Sequence, residues 1–369
     1  MKIRVLDGLR GYAALMIVLA HMPRLSNTEI GLAIFHMIDG LKLSYLGVDI
    51  FFILSGFLIT RIIIKEKKEQ RFSLKSFYIK RALRIFPIYY LAIIICGFLF
   101  SWKGMEYLAV YGSNYYFSFH DILHPLEHTW SLAVEEHYYL LWPLLIYFCS
   151  LEKLKKYTLP IIVLIVTASL ILVYSSFEKK VADSMVYMGT QFRILSLGLG
   201  SLLAFHEYKV RNIKSQKKNY LILFTGIIFY LLAIISVEGV FGSLIPKRAL
   251  LLFFFSICSL LLFIFVLLQE NRKSSFNDLF NNKPIAFIGK ISYGIYLYHY
   301  PIFFWWGITK NQLDSQPVTI IDFALPILFV FVLASLSYWF IEKPLINYKR
   351  KLVFEIKPLR KRPAPIERI

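Results

Sequence analysis

Ionisable residues inside apolar stretches are the feature of this sequence that most strongly suggests chemistry. Five of them, Arg10, Asp49, Glu135, Glu136 and Arg193, lie in segments that are otherwise apolar. A charge at the centre of a bilayer opposes insertion by roughly 2.5–3.5 kcal/mol, and by less near the bilayer surfaces. The five together oppose insertion by on the order of ten kcal/mol. We therefore expect a functional use for the set, with structural ion pairs between helices as the alternative for any single residue.

The first apolar stretch carries an arginine and a histidine that share one helical face. Arg10 and His21 have ten residues between them, and eleven steps of about 100° come within about 20° of three full turns. The two side chains are then about 16 Å apart along the helix axis. A neutral imidazole is the natural general base near pH 7, so we predict that His21 is the base. The alternative is an interfacial residue near a helix end.

Carboxylates and an arginine supply the partners that such a base needs. We expect Asp49 or Glu135 to orient the imidazole and to stabilise its charged form, as a carboxylate does in a catalytic triad. Arg10 is expected to stabilise an oxyanion or to hold an anionic substrate. Glu136 points about 100° away from Glu135 on a helix. We therefore predict that at most one of the two faces the cavity directly, and we favour Glu135.

A late apolar segment adds three polar side chains on one face. Ser292, Tyr296 and His299 follow each other at spacings of four and three, which align on a helix. With the groups above they predict a polar cavity at or above the middle of the membrane. We assign these three and Glu136 to substrate binding. His299 has an alternative role in shaping a kink, since Pro301 lies two residues further on.

A different site is predicted where the third apolar stretch begins. Arg81 and Arg84 are three residues apart and lie on one face of a helix. Paired guanidinium groups suit a phosphate or pyrophosphate group. The alternative is the ordinary positive charge of a cytoplasmic loop.

Composition indicates that the elements positioning these groups are membrane-spanning helices. The 369 residues are 57% hydrophobic and 18% charged, with a mean hydropathy of +0.59, whereas a soluble domain carries about 25% charged residues. A spanning helix needs about 20 mostly apolar residues. We predict an all-α integral membrane protein with a bundle of about ten transmembrane helices. The predicted spans are residues 5–23, 43–60, 85–102, 130–149, 157–177, 186–206, 219–237, 249–268, 285–307 and 323–341.

The distribution of positive charge predicts the orientation of this bundle. With the N-terminus in the cytoplasm, 31 of the 42 Lys and Arg residues fall in cytoplasmic segments and eight fall in outer loops, as the positive-inside rule requires. Both termini are therefore predicted to be cytoplasmic. Residues 1–346 form the predicted membrane domain and residues 347–369 a basic cytoplasmic tail. The basic groups are spread over many short loops, which argues against a nucleic-acid partner, and no metal site is expected.

Six short motifs make the chain similar to the acyltransferase-3 family of membrane proteins. They occur in the family's order between about residue 3 and residue 346. The motifs are Leu6-Asp7-Gly8-Leu9-Arg10-Gly11 continuing to His21, the stretch 47–59 (GVDIFFILSGFLI), the Arg-x-x-Arg stretch 77–87 (FYIKRALRIFP), the segment 130–139 (WSLAVEEHYY), the segment 291–299 (ISYGIYLYH) and Glu342-Lys343-Pro344.

The resemblance implies a membrane O-acyltransferase. The family moves an acyl group, commonly acetyl, from acyl-CoA to a hydroxyl of a surface carbohydrate, such as lipopolysaccharide O-antigen, an exopolysaccharide, peptidoglycan or a lipid-linked sugar. It implies that Arg81 and Arg84 bind the phosphates of acyl-CoA (acetyl-CoA), which is a donor substrate and not a resident cofactor. It also implies a multi-pass protein of the plasma (inner) membrane. The sequence shows no hydrolase-like domain after the last predicted span, so a two-step relay inside one polypeptide is not expected.

Other functions are compatible with the same features. A transporter or flippase of polysaccharide intermediates also has buried charges and aromatic outer loops, although the repeat symmetry typical of transporters is not visible here. An acyltransferase that uses succinyl-CoA, or that acylates a small molecule, fits the motifs as well. A membrane scaffold without chemistry would have to explain the five intramembrane charges.

Overall fold

The computed structural model describes residues 3–21, 36–237, 246–270, 272, 274–308, 320–345 and 347. These residues form helices, turns and loops, and none of them lies in a strand, which confirms the all-helical class. The predicted basic tail, apart from its first residue, lies outside the described residues. Two of the eight Lys and Arg residues assigned to outer loops, Arg24 and Lys310, also lie outside the described residues.

Among the described residues, ten longer helices overlap the ten predicted spans, and shorter helices lie between them. In chain order the helices are α1 (Val5–Ala20), α2 (Leu43–Lys68), α3 (Leu74–Leu99), α4 (Met105–Ala109), α5 (Ser113–Phe119), α6 (Trp130–Phe148), α7 (Leu151–Ser176), α8 (Lys179–Met188), α9 (Thr190–Arg211), α10 (Gln216–Val237), α11 (Lys247–Gln269), α12 (Ser275–Asn281), α13 (Lys283–Trp305) and α14 (Ile320–Ser337). A 3₁₀ turn (Glu127–Thr129) precedes α6, and a π-helical turn (Tyr338–Glu342) follows α14.

Within the part of the chain that the structure describes, six of the longer helices are long and apolar enough to cross a membrane. They are α2, α3, α7, α10, α11 and a segment of α14 with the turn that follows it, Ala324–Leu345. The other four, α1, α6, α9 and α13, carry most of the ionisable and polar groups discussed above. Among the six, α2 is the most buried and α7 the least. Leu164, Ile171 and Leu172 of α7 are exposed, and in a bilayer such a surface faces lipid.

The centre of the bundle is set by a close crossing of α2 and α9. A Cβ at Gly56 would lie 1.9 Å from the carbonyl oxygen of Leu197, and a Cβ at Gly200 would lie 2.1 Å from that of Ile53. Only glycine permits this reciprocal approach, which is typical of membrane helices packed through small residues. Asp49 lies seven residues, or about two turns, before Gly56, and Arg193 lies seven residues before Gly200. The crossing therefore brings an acid and a base to the same level of the bundle.

Helices α1 and α13 run side by side in the same direction. Near their first turns, a Cβ at Gly289 would lie 1.7 Å from the carbonyl oxygen of Asp7, so the backbones touch through glycine. Towards their far ends, the rings of His21 and His299 lie 5.1 Å apart, centroid to centroid. This interface places the polar face of α13 alongside the face of α1 that carries Arg10 and His21.

Candidate active site

A polar cavity lies between α1, α2, α3, α6 and α13. Its volume is about 100 Å³. Three guanidinium groups and two carboxylates share this small space. The charged and hydroxyl-bearing residues of its wall are Arg10, Ser55, Arg81, Arg84, Ser131, Glu135, Glu136, Tyr139, Ser292, Tyr293 and Tyr296.

Glu135 is held in this cavity by hydroxyl groups from two helices. Its Oε1 accepts a hydrogen bond from Ser55 Oγ at 2.6 Å, and its Oε2 accepts one from the Tyr139 hydroxyl at 2.9 Å. The guanidinium of Arg81 lies over the Tyr139 ring, 3.5 Å from its centroid. Both carboxylate oxygens are therefore fixed beside the positive charges of Arg81 and Arg10, which act on this carboxyl electrostatically.

The arginines of the cavity repel one another and retain unused donors. The charges of Arg10 and Arg81 act on Arg84, and Glu342 from the π-helical turn opposes them. The Nε of Arg81 is buried and has no hydrogen-bond partner among the described residues. Repulsion between like charges and a buried unpaired donor are both relieved when an anion binds. The planar forks of arginine match a phosphate group.

A second polar group, which we call the histidine cluster, lies at the far ends of α1 and α13. It consists of His21, His128, His299 and Tyr300, whose rings form a closed circuit with centroid distances of 5.1 Å (His21–His299), 5.0 Å (His128–His299), 5.4 Å (His128–Tyr300) and 5.4 Å (His21–Tyr300). The Nδ1 of His21 lies 2.8 Å from the carbonyl oxygen of Ile17. Because a carbonyl only accepts, Nδ1 carries the proton and Nε2 is the basic nitrogen of the neutral ring.

The loop before α6 contributes two titratable groups to this region. Burial raises the pKa of the Glu127 carboxyl to about 7, and the Tyr300 hydroxyl donates to this carboxyl at 3.3 Å. Burial, together with the nearby His21, lowers the pKa of His128 to about 3. At neutral pH the His128 ring is therefore uncharged, with one donor and one acceptor nitrogen, whereas Glu127 changes its charge near pH 7.

Tyr296 stands between the cavity and the histidine cluster. Its side chain forms part of the cavity wall, and its ring lies 5.3 Å from that of His128 and 5.7 Å from that of His299. Its hydroxyl donates to the backbone oxygen of His128 at 2.7 Å and lies 2.5 Å from Ser131 Oγ. The two polar groups are therefore neighbours, with this aromatic side chain at their boundary.

Asp49 belongs to neither group. It is fully buried, its Oδ1 accepts a hydrogen bond from Ser196 Oγ at 2.5 Å, and the same oxygen lies 3.5 Å from Nη1 of Arg193. The Arg193 guanidinium lies 5.0 Å from the centroid of the Trp130 ring and is 1% exposed. The pair joins α2 to α9, as the glycine crossing dictates. This is the structural ion pair that the sequence left open as an alternative.

The residues predicted to share one cavity are thus divided among three places. The cavity holds Arg10, Glu135, Glu136, Ser292 and Tyr296, and it also holds Arg81 and Arg84, which were expected at a separate cytoplasmic site. The histidine cluster holds His21 and His299, and Asp49 lies in the α2–α9 ion pair.

Two expectations about carboxylates are corrected by this arrangement. Glu135 and Glu136 both line the cavity, because a space enclosed by five helices covers more of the α6 surface than the 100° between neighbouring side chains. Neither Asp49 nor Glu135 orients His21. The first binds Ser196 and Arg193, and the second binds groups of the arginine-lined cavity.

Sequence reasoning did not identify several residues of both sites. Ser55 and Tyr139 anchor Glu135, and His128, Glu127 and Tyr300 complete the surroundings of His21. Tyr139 lies four residues after Glu135, so helical spacing was a usable signal. His128 and Glu127 lie in a loop, where no periodicity indicates which way a side chain points.

Comparison with known proteins identifies the family to which this chain belongs. A model of the family described as "Acyltransferase domain" matches residues 3–341. The peptidoglycan O-acetyltransferase OatA of Listeria monocytogenes is 29% identical over 96% of this chain and 59% of its own length. A Bacillus subtilis protein provisionally named peptidoglycan O-acetyltransferase YrhL is 28% identical over 92% of this chain and 54% of its own length. A Staphylococcus aureus protein provisionally named O-acetyltransferase SACOL0978 is 30% identical over 92% and 56%.

The chain spans somewhat more than half the length of these curated relatives. No solved structure matches it.

Proposed function

The chain belongs to the acyltransferase family whose model covers residues 3–341, and from that premise we propose that it is a membrane O-acetyltransferase. It moves an acyl group, acetyl in the simplest case, from cytoplasmic acyl-CoA to a hydroxyl of a cell-surface carbohydrate. The observation that carries this proposal is the pairing of an arginine-lined cavity with a histidine cluster along α1. The three relatives are all named as O-acetyltransferases, and two of them are named as peptidoglycan O-acetyltransferases. These names favour a peptidoglycan hydroxyl as the acceptor.

The cavity is suited to the phosphate end of the donor. Arg10, Arg81 and Arg84 present three guanidinium groups to one space, and charge-assisted contacts with phosphate are among the stronger hydrogen bonds. We assign Arg81 and Arg84 to the phosphates of acyl-CoA. Glu135 binds the hydroxyl of Tyr139, and the Arg81 guanidinium lies over the ring of the same tyrosine, so Glu135 helps to position Arg81.

The separation of the two sites agrees with the length of the donor. Arg10 and His21 are eleven residues apart on α1, which is about 16 Å along the axis. The arm of CoA from its nearest phosphorus to its sulfur contains 13 bonds, and an extended chain of three bonds spans about 3.3–3.6 Å, so the arm reaches roughly 15 Å. A phosphate held by the arginines therefore allows the thioester to reach His21. The same distance favours donor binding over oxyanion stabilisation as the role of Arg10.

The chemistry at the thioester needs one base. The acceptor hydroxyl gives its proton to Nε2 of His21 while its oxygen attacks the thioester carbonyl carbon. The carbon–sulfur bond breaks, and the CoA thiolate takes up the proton from the His21 imidazolium. The products are an ester and free CoA, so no net proton is released.

The proposed orientation keeps donor and acceptor on opposite faces. We propose that all ten long helices cross the plasma membrane with both termini in the cytoplasm, residues 1–346 forming the membrane domain and residues 347–369 a cytoplasmic tail. The six helices that meet the length and composition requirement and the distribution of Lys and Arg support this topology. Arg81 and Arg84 then lie towards the cytoplasm, where acyl-CoA is found, and His21 lies towards the outer face.

The proposal is tested with purified protein in nanodiscs and radiolabelled acetyl-CoA. We expect label on cell-envelope glycans with the wild type and none with His21→Ala, because the general base is missing. Retained acetyl-CoA binding by His21→Ala would show that the variant is folded. Near-normal transfer by this variant would refute the assignment of the base, and absence of both binding and transfer by the wild type would refute the function.

A further inference from the structure

The histidine cluster contains ring nitrogens that the protein itself does not satisfy. His299 is fully buried, and its Nδ1 lies 2.7 Å from the Tyr296 carbonyl oxygen and 3.2 Å from that of Ile295. Nδ1 is therefore the protonated nitrogen, and Nε2 carries a lone pair. That Nε2 has no hydrogen-bond partner among the described residues. The ring nitrogens of His128, which is 4% exposed, also lack a partner at hydrogen-bond geometry, although the backbone oxygens of Leu297 and Tyr296 act on this ring electrostatically.

Such groups call for a polar partner from outside the protein. A buried donor or acceptor without a partner is a substantial cost to a folded chain, and exceptions of this kind usually have a functional reason. Here the unpaired Nε2 of His299 faces a second buried histidine, His128, and the two ring centroids are 5.0 Å apart. In the described part of the chain these histidines do not form an arrangement that could hold a metal ion. The missing partner is therefore a small hydrogen-bonding group.

We propose that His128 and His299 form the subsite that receives the acceptor hydroxyl beside His21. The inference rests on the proposed function and names two residues that fix the second substrate. The hydroxyl donates its proton towards Nε2 of His21 and accepts a hydrogen bond from the N–H of His128. The Nε2 of His299 accepts from a neighbouring hydroxyl, so the group recognised is an alcohol with a second hydroxyl or amide N–H close by, as on a sugar ring.

The position of His128 is fixed independently of any ligand. It lies in the 3₁₀ turn Glu127–Thr129, and its backbone oxygen accepts the hydrogen bond from Tyr296 at 2.7 Å. Its ring stacks on that of Tyr300 at 5.4 Å with an interplanar angle of 28°. Since the ring is neutral at working pH, it offers one donor and one acceptor without bringing a charge against His21. A pre-positioned neutral donor of this kind orients a hydroxyl lone pair without competing for its proton.

His128→Phe is the decisive variant, because it keeps an aromatic ring for packing and removes both nitrogens. His128→Asn restores a donor and an acceptor, and His120→Phe is the matched control. His120 belongs to the same loop but is exposed and stacks on Tyr116. The full chain in nanodiscs is assayed with acetyl-CoA and with peptidoglycan glycan strands freed of stem peptides. Glycan KM, kcat, acetyl-CoA Kd and glycan Kd without donor are measured for each.

We expect His128→Phe to raise glycan KM and glycan Kd about tenfold, the loss of one typical hydrogen bond. Acetyl-CoA affinity is expected to stay at the wild-type value, which also shows that the variant is folded. His128→Asn is expected to recover most of the glycan affinity, and His120→Phe to behave as the wild type. Equal glycan affinities of wild type and His128→Phe would overturn the subsite while leaving the proposed function intact. Failure of the wild type to bind glycan or to transfer acetyl would overturn the proposed function and the subsite together.

Discussion

Replacement of Arg84 by Gln is the sharpest test of the arginine-lined cavity. If Arg84 contacts a phosphate of acyl-CoA, its removal deletes a charge-assisted hydrogen bond, which contributes about 1.5–3 kcal/mol. The dissociation constant for acetyl-CoA should then rise between about 10-fold and about 150-fold. Arg10 and Arg81 repel Arg84, whereas Glu342 attracts it. The two effects on folding oppose each other, so folding of the variant without donor is measured separately from binding.

Two measurements in nanodiscs separate binding from folding. Titration calorimetry with acetyl-CoA gives the dissociation constant. Thermal unfolding with and without donor gives the stabilisation of the folded protein by bound acetyl-CoA. This stabilisation is about 2.7 kcal/mol when the donor concentration is 100 times the Kd, and about 1.4 kcal/mol at the same donor concentration when the Kd is tenfold weaker. Arg84→Lys, which keeps the charge and loses the planar fork, is expected to fall between the wild type and Arg84→Gln.

Lys80→Gln is the matched control for this prediction. Lys80 lies one turn earlier on α3 and pairs with Glu66 at 3.4 Å, outside the cavity wall. A half-buried pair of this kind contributes little, so acetyl-CoA affinity is expected to stay within about twofold of the wild type. Arg84 does not contact the donor if Arg84→Gln binds acetyl-CoA as the wild type does, or if Lys80→Gln weakens binding to the same extent.

Three further predictions concern charge and packing. Asp49→Asn should destabilise the fold by about 3–5 kcal/mol, because Arg193 is left as a buried unpaired charge. The folded fraction of the variant should bind acetyl-CoA with unchanged affinity. Normal stability combined with lost acetyl transfer would instead make Asp49 a catalytic residue. Glu127→Gln should flatten the pH dependence of the thermal midpoint. Burial raises the pKa of Glu127 from 4.5 to about 7, so between these pH values the folded state keeps a proton that the unfolded state has released. The free energy of unfolding of the wild type therefore falls by about 3 kcal/mol from pH 4.5 to pH 7 and then levels off. An identical pH profile for the variant would contradict this. Gly200→Ala should lower the free energy of unfolding by about 1–3 kcal/mol through overpacking, since its Cβ would lie 2.1 Å from the carbonyl oxygen of Ile53. Gly226→Ala is the control and should unfold like the wild type, because the nearest atom to its Cβ, in Leu261, would be 3.4 Å away.

The helices were predictable because hydrophobicity in membranes is a strong and local signal. Each of the ten predicted spans overlaps a helix of the described residues, and six of these helices are long and apolar enough to cross a membrane. The largest difference is α3, which starts at Leu74, eleven residues before the predicted start of its span, because Ser73 caps the helix by accepting a hydrogen bond from the backbone N–H of Ser76. Arg81 and Arg84 therefore lie within the helix and reach the interior cavity.

The division of the polar residues was not predictable from single-helix geometry. Helical spacing relates residues on one helix, but the neighbours of Asp49 are decided by the α2–α9 crossing at Gly56 and Gly200. The same limit applies to His128, whose loop carries no periodic signal. Arg10 and His21 both lie on the first helix, yet the bundle places Arg10 in the arginine-lined cavity and His21 in the histidine cluster.

The most direct test of the account is sided transfer in proteoliposomes of one orientation. Acetyl-CoA is supplied on the face nearest Arg81 and Arg84, and glycan strands on the face nearest His128. We expect acetyl-glycan to form in this arrangement, to disappear when the two substrates are exchanged between the faces, and to be absent with His21→Ala. Equal transfer in both arrangements, or transfer that does not require His21, would contradict a donor cavity and an acceptor cluster joined along α1.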